Sequence, residues 1–147
     1  MKRSFVTRAL LALAAAAPFA ASVSHAVAQS PGLSPYVGFW ESIDPLDGSR
    51  SSWSIAPDGE GGFAIIGAST YFTRCADADG QGVLAIKGTL EDGVLMGGSP
   101  KITCADGQTA EWERNEFRYD ADSDLVTMTL VGYDRPPFTL HRISQQP

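Results

Sequence analysis

Histidine and cysteine, on which much catalysis and metal binding depend, are scarce: the 147-residue chain has two of each. Beyond residue 28, His141 is the only histidine. A Ser-His-Asp site would need it, yet the sequence lacks the Gly-x-Ser-x-Gly elbow that often carries such a serine. Ligand spacing typical of zinc and a glycine-rich loop opening a helix are also missing. Catalysis is therefore the least favoured class of function, and we expect neither a metal nor a cofactor.

Long hydrophobic runs are missing as well. No segment approaches the ~20 apolar residues that a membrane-spanning helix needs, so we expect no membrane insertion. One apolar stretch, Ala9–Ala17, lies between a basic start and a small-residue cleavage motif, formed by Lys2, Arg3, Arg8 and Ala26-Val27-Ala28. This order is typical of a secretory signal. The sequence predicts a signal peptide over residues 1–28 and a periplasmic or secreted protein; a folded helix over 9–23 is the alternative.

Basic residues are few, and three of the eleven lie in the predicted signal. Residues 29–147 then carry eight basic and seventeen acidic side chains, a net charge of 8 − 17 = −9. Nucleic acids and anionic membranes select clustered lysine and arginine, so this balance argues against both. It favours solubility and leaves room for a basic protein partner.

The two cysteines, Cys75 and Cys104, would share an oxidising compartment if the chain is exported. Cysteine pairs in such compartments usually form disulfides, and we predict one here. The alternative, a metal held by both thiolates, lacks third and fourth ligands at a suitable spacing.

Helical periodicity is also absent, since no window of ten or more residues shows a helical apolar stripe. Short alternating segments, rich in β-branched and aromatic residues, are separated by Asp-Gly turns such as Asp47-Gly48 and Asp92-Gly93. Such turns suit tight hairpins. The sequence predicts nine strands near residues 37–43, 50–56, 62–68, 70–75, 83–90, 94–104 with a break at Gly97-Gly98-Ser99-Pro100, 109–119, 125–133 and 138–143.

These strands indicate an all-β fold of one domain over residues 36–147, after a flexible lead at 29–35. Consecutive hairpins favour neighbouring antiparallel strands, and closure removes exposed sheet edges. We therefore expect a monomeric antiparallel up-and-down β-barrel of eight or nine strands, with a β-sandwich as the alternative.

Side chains two residues apart in a strand share a face, which yields a set of inward positions. The strand at 109–119 breaks this rule, because Trp112 shares its face with Arg114 and Glu116 while Phe117 falls on the other. Either a bulge switches the faces, or Arg114 and Glu116 line a polar cavity. The candidate cavity residues are Trp53, Phe63, Ile65, Leu84, Ile86, Trp112, Arg114, Met128 and Leu130.

Gly38-Phe39-Trp40 in the first strand and Arg142 in the last resemble the lipocalin-like, or calycin, barrels. In that family the tryptophan closes the base of the barrel and an arginine packs across its ring. The resemblance implies a structural plug of Trp40 and Arg142, stabilised by a cation–π contact. Segments around Trp40, Cys75 and Cys104-Ala105-Asp106-Gly107 also resemble small exported bacterial barrels with no assigned function.

Two functions follow as hypotheses. The first is a barrel that holds a small molecule in or at its mouth, although an eight-stranded barrel can also be filled by its own side chains. The second is a protein-binding module, such as a periplasmic hydrolase inhibitor or envelope scaffold. For this second function, Cys104-Ala105-Asp106-Gly107 is similar to the Cys-Asp-Asp-Gly strand start of periplasmic lysozyme inhibitors. We predict a turn at Asp120, Asp122 and Asp124, and a low-affinity calcium site is the alternative.

Overall fold

The computed structural model describes residues 34–145, so the predicted signal peptide and most of the lead lie outside the described residues. This part of the chain is all-β, with one short 3-10 helix at Thr73–Ala78 between the third and fourth strands. The strands are β1 Gly38–Ile43, β2 Arg50–Pro57, β3 Phe63–Ser69, β4 Gly82–Glu91, β5 Val94–Cys104, β6 Thr109–Glu111, β7 Arg114–Asp120, β8 Leu125–Leu130 and β9 Phe138–Ser144.

Eight of these strands close into an antiparallel barrel, which confirms the predicted fold class and excludes the sandwich. Around the barrel the order is β1, β2, β3, β4, β5, β7, β8 and β9, and β9 pairs back onto β1. The three-residue β6 pairs only with the last part of β5 and lies outside the ring. Closure pairs both edges of the ring and so satisfies their backbone groups.

The strand predicted at residues 70–75 does not form. Beyond Thr70 the Phe72 amide donates instead to the Gly80 carbonyl and the Cys75 amide to the Phe72 carbonyl, both within the same connecting segment. Asp79 and Gly80 both have positive φ, at 52° and 73°, which reverses the chain before β4. The bond from Phe72 to Gly80 closes this segment on itself, so residues 73–78 form a 3-10 helix and do not extend the sheet.

The predicted break at residues 97–100 is a bulge within one continuous β5. Before the bulge Leu95 and Gly97 are buried, and after it Pro100, Ile102 and Cys104 are, so the buried face changes parity. Ser99 at the bulge has φ 45°. The first part of β5 pairs with β7 and the second with β6, as expected for a bulge that bends its strand.

The segment predicted as one strand at 109–119 is divided by Trp112 and Glu113, which belong to neither β6 nor β7. Beyond this break Asn115 and Phe117 are buried, while Arg114 lies on the outer surface. The prediction that Arg114 and Glu116 face a cavity is therefore wrong. Glu116 bonds Arg114 at 3.3 Å and Arg118 at 3.1 Å on the outside of the barrel, where the charges keep their hydration.

One half of the barrel interior is filled by apolar side chains. Residues from six strands are completely buried in this half. Gly97 lets the Ile86 and Phe117 side chains approach the backbone, since a Cβ there would lie 2.7 Å from the Ile86 side chain. The buried set is Ile55, Ile65, Leu95, Phe117, Val126 and Leu140. These buried apolar side chains form the packed part of the core.

The filled half ends in a closed base, where the guanidinium of Arg142 lies 4.0 Å from the centre of the Trp40 ring, as predicted. Arg142 also donates to the carbonyls of Val37 at 2.8 Å and Pro35 at 2.6 Å, and to the Asp124 carboxylate at 2.9 Å. Four groups from two distant segments of the chain thus converge on one side chain. We call Trp40 and Arg142 the base plug.

Replacing Arg142 by alanine leaves two carbonyls and the Trp40 ring without their partner. We expect the free energy of unfolding to fall by about 2 to 3 kcal/mol, measured by urea denaturation. Arg118→Ala is the matched control, because its exposed ion pair should contribute less than ~1 kcal/mol. Equal losses in the two variants would contradict a structural role for the plug.

The β2–β3 turn should make stability sensitive to acid. Asp58 accepts the amides of Glu60 at 2.8 Å and Gly62 at 2.9 Å, which holds the pKa of Asp58 below its ordinary value of 3.8. The folded state then binds fewer protons, so this stabilisation is present above about pH 4 and is lost as the pH falls through the lowered pKa. Asp58→Asn should destabilise the protein at neutral pH, and the difference in urea midpoint between this variant and wild type should shrink as the pH is lowered below 4.

Candidate functional site

The barrel is open at the end opposite the base plug, where a cavity of about 260 Å³ lies among the strand ends and their connecting segments. Its lower wall is apolar and its rim is polar. The apolar lining residues are Trp53, Leu84, Ile102, Trp112, Met128, Leu130 and Phe138. The rim includes Asp44, Ser49, Ser51, Ser69, Tyr71, Phe72, Thr73, Arg74, Tyr133 and Arg135, and Asn115 reaches the cavity from β7. We call this the mouth cavity.

Trp53 is held in the apolar wall by contacts on several sides. Its indole nitrogen donates to the buried Ser42 hydroxyl at 3.1 Å, and its ring packs edge-on against Phe117 at 6.4 Å. The opposite residue on β3 is Gly67, where a Cβ would lie 2.7 Å from the indole ring. The ring is therefore fixed before any ligand enters, which lowers the entropic cost of binding.

Asn115 is a fully buried polar side chain at the cavity wall. Its Oδ1 accepts a hydrogen bond from the Trp112 indole nitrogen, and its Nδ2 donates to the Met128 sulfur at 3.3 Å. A thioether is a weak acceptor, and an amide nitrogen has two hydrogens to donate. Asn115 therefore retains hydrogen-bonding capacity next to the cavity.

The rim contains a partly buried ion pair between Asp44 and Arg135. Arg135 Nη2 lies 2.8 and 2.7 Å from the two carboxylate oxygens, and the guanidinium stacks 4.5 Å from the centre of the Phe138 ring. Arg135 Nε is buried without a hydrogen-bond partner. The rim therefore contains one incompletely paired group, Arg135 Nε. An unsatisfied buried donor of this kind costs about 1 to 3 kcal/mol.

The opposite side of the rim is attached by the disulfide between Cys75 and Cys104, which confirms the predicted pairing. This bond ties the 3-10 helix to the end of β5. Arg74, next to Cys75, donates to the Tyr133 hydroxyl at 3.1 Å and lies 5.9 Å from the centre of that ring. The rim segments from β3–β4 and β8–β9 are thereby joined across the opening.

Five of the nine predicted cavity residues line the mouth cavity: Trp53, Leu84, Trp112, Met128 and Leu130. Phe63, Ile65 and Ile86 face inward but do not line this cavity, because they lie nearer the closed base. Arg114 lies on the outer surface. Strand parity predicts which residues face inward, but it does not predict where along the barrel axis the cavity lies.

Several site residues have no signal of their own in the sequence. Asp44 and Arg135 are 91 residues apart and lie in loops, where neither strand parity nor a motif marks them. Asn115 does carry a signal: it shares parity with Phe117, which places a polar side chain among inward-facing apolar residues. This pattern identifies Asn115 as a polar residue that lines the cavity.

Other chemistry is limited within residues 34–145. They contain no group of three or more histidine, cysteine, aspartate or glutamate side chains placed to hold a metal. Asp120 accepts bonds from the Asp122 amide and the Ser123 hydroxyl, and Asp124 bonds Arg142, so the loose calcium site has no support. His141 is exposed on the outer face of β9. None of the helices in this range is long and apolar enough to cross a membrane.

The chain matches no protein-family model, no curated protein sequence and no solved structure with which it was compared. Fold and site nevertheless define a class. The protein is a small antiparallel β-barrel with one disulfide, a closed base, a filled lower interior and a cavity at the opposite mouth.

The disulfide should be needed for both stability and the shape of the rim. Its cysteines are 29 residues apart, and on the chain-entropy model we expect Cys75→Ala/Cys104→Ala to lower the unfolding free energy by about 3 to 4 kcal/mol. Urea denaturation measures this loss. Hydrogen exchange should also become faster at residues 72–80, with β1 and β9 less affected. Uniform acceleration over all strands would contradict a local role in the rim.

Proposed function

We propose that this protein is an exported binding protein that holds a small molecule in its mouth cavity. The mouth cavity itself carries the proposal, because it combines a preformed apolar wall with a few polar groups at the rim. That combination is characteristic of small-molecule sites in proteins.

The size of the cavity supports a small ligand. About 260 Å³ lies just below the ~300 to 1,000 Å³ typical of ligand pockets. An eight-stranded barrel is just wide enough to hold one small molecule besides its own side chains. Because the base plug and the filled lower half block the other end, the ligand would enter and leave through the mouth.

Export to the periplasm or exterior is part of the proposal. The predicted signal over residues 1–28 supports it, and the disulfide is typical of oxidising compartments. A lipocalin-like relationship is likewise proposed. The stack of Arg142 on Trp40 supports it, since this is the contact that the resemblance implies.

Binding to a protein partner is the second candidate function, favoured by the apolar side chains exposed near the mouth. Leu46 is 64% exposed, Tyr133 42% and Tyr71 41%. Exposed tyrosines are frequent in protein interfaces, and the acidic composition suits a basic partner. In this alternative the rim would be the contact surface, as in a periplasmic hydrolase inhibitor or envelope scaffold.

Two neighbouring serines on β2 offer a matched test of the cavity. Ser51 lines the mouth cavity and Ser52 faces solvent, so the same change to phenylalanine fills the cavity in one variant only. We expect native mass spectrometry of the exported wild type and Ser52→Phe to show an added mass that leaves on denaturation. Ser51→Phe should lack this mass, while its circular dichroism spectrum stays that of a β-barrel.

A neutral aromatic probe, 2-naphthol, provides the same comparison for protein purified empty. Isothermal titration should detect binding to wild type and Ser52→Phe, and at least about tenfold weaker binding to Ser51→Phe. Equal behaviour of the two variants, or no bound mass and no binding by wild type of either 2-naphthol or its carboxylate analogue 2-naphthoate, would overturn the cavity function. Capture of a basic hydrolase by such an empty barrel would then favour the protein-binding function.

A further inference from the structure

We infer that the ligand of the mouth cavity is a small aromatic molecule with one carboxylate group, recognised at Arg135. This inference rests on the proposed function and adds the chemical class of the ligand. It follows from the charge of the lining, the unused donors of the rim and the aromatic character of the wall.

The charges around the mouth cavity favour an anion even though the whole protein is acidic. The ionisable groups that line it include one carboxylate, Asp44, and two guanidinium groups, Arg74 and Arg135. Asp44 is already paired with Arg135, and Arg74 bonds the neutral Tyr133 hydroxyl. The lining side chains therefore sum to a charge of +1 inside a protein of opposite sign, which one ligand carboxylate would balance; Asp47, outside the lining, also attracts Arg135.

Arg135 has donors left for such a carboxylate. Both of its hydrogen bonds to Asp44 come from Nη2, and Nε has no partner. A guanidinium has five N–H donors arranged for two-pronged recognition of planar carboxylates. A small shift of Asp44 would free Nη2, which forms one edge of the guanidinium together with the unpaired Nε, so a ligand carboxylate would compete with Asp44 for Nη2.

The remaining wall favours a flat ring. Trp53 and Trp112 line the cavity together with Phe138, whose ring already stacks with the Arg135 guanidinium. Aromatic pairs gain stability from stacked and edge-on contacts beyond simple burial. A planar molecule on this wall would place a carboxylate at its edge close to Arg135, with Asn115 available for a further polar substituent.

The test compares 2-naphthoate with 2-naphthamide, which have the same shape but differ in charge. Isothermal titration on the full exported protein should show naphthoate binding at least about tenfold more tightly, as expected for hydrogen bonds to a charged group. Arg135→Gln should abolish this preference. Arg114→Gln is the matched control, because Arg114 lies on the outer surface, and it should keep the preference.

Asp44→Asn separates ligand recognition from simple support of the fold. Without the competing carboxylate, Arg135 should bind naphthoate several-fold more tightly than in wild type, whereas a merely structural ion pair predicts weaker binding. The asparagine amide oxygen could still accept the Leu46 amide, which donates to Asp44 Oδ1 at 2.8 Å in the native loop. This arm keeps the inference testable if Arg135→Gln fails to fold.

Each outcome bears on a distinct claim. Equal affinity for the two probes, an unchanged preference in Arg135→Gln, or weaker naphthoate binding in Asp44→Asn would each overturn the carboxylate class. If 2-naphthol still binds wild type but not Ser51→Phe, the cavity function survives that result. If neither 2-naphthol nor naphthoate binds and the exported protein carries no added mass, both proposals fail together.

Discussion

The contact of Arg142 with Trp40 is the constraint on which the barrel depends. Arg142 comes from the last strand and Trp40 from the first, and the two are paired across the β1–β9 ladder that completes the ring. Closure joins residues about a hundred positions apart, so folding loses chain entropy when this long loop is closed. The cation–π contact and three hydrogen-bonding groups on Arg142 concentrate the compensating interactions at this seam.

Closing one end determines what the other end can do. The side chains near the base are fully buried. The unfilled space lies at the mouth, where strand ends and loops supply polar groups. The cavity therefore has a rigid apolar floor and a rim of loop residues. Asp44 and Arg135 lie in that rim, and their pairing is the electrostatic feature that a ligand would meet first.

Much of this fold could be predicted from local sequence, because strand parity and Asp-Gly turns act over a few residues. The hairpins and the inward face of Trp53 follow from such rules, the disulfide from the predicted export and the base contact from the resemblance. Parity alone leaves the face of Arg114 open, because the chain breaks at Trp112 and Glu113, and the cavity alternative for Arg114 is wrong. The Asp44–Arg135 pair joins two loops 91 residues apart, a relation that only the closed barrel creates.

The bulge in β5 has a consequence for association between molecules. By directing the end of β5 away from β7, it allows β6 to add to the outside of the ring. Among residues 34–145, β6 is the sheet edge that closure leaves open, yet it is three residues long and ends at Glu111. So short an edge, ending in a charged residue, is a poor template for another chain, which should keep the barrel from polymerising through its backbone at high concentration.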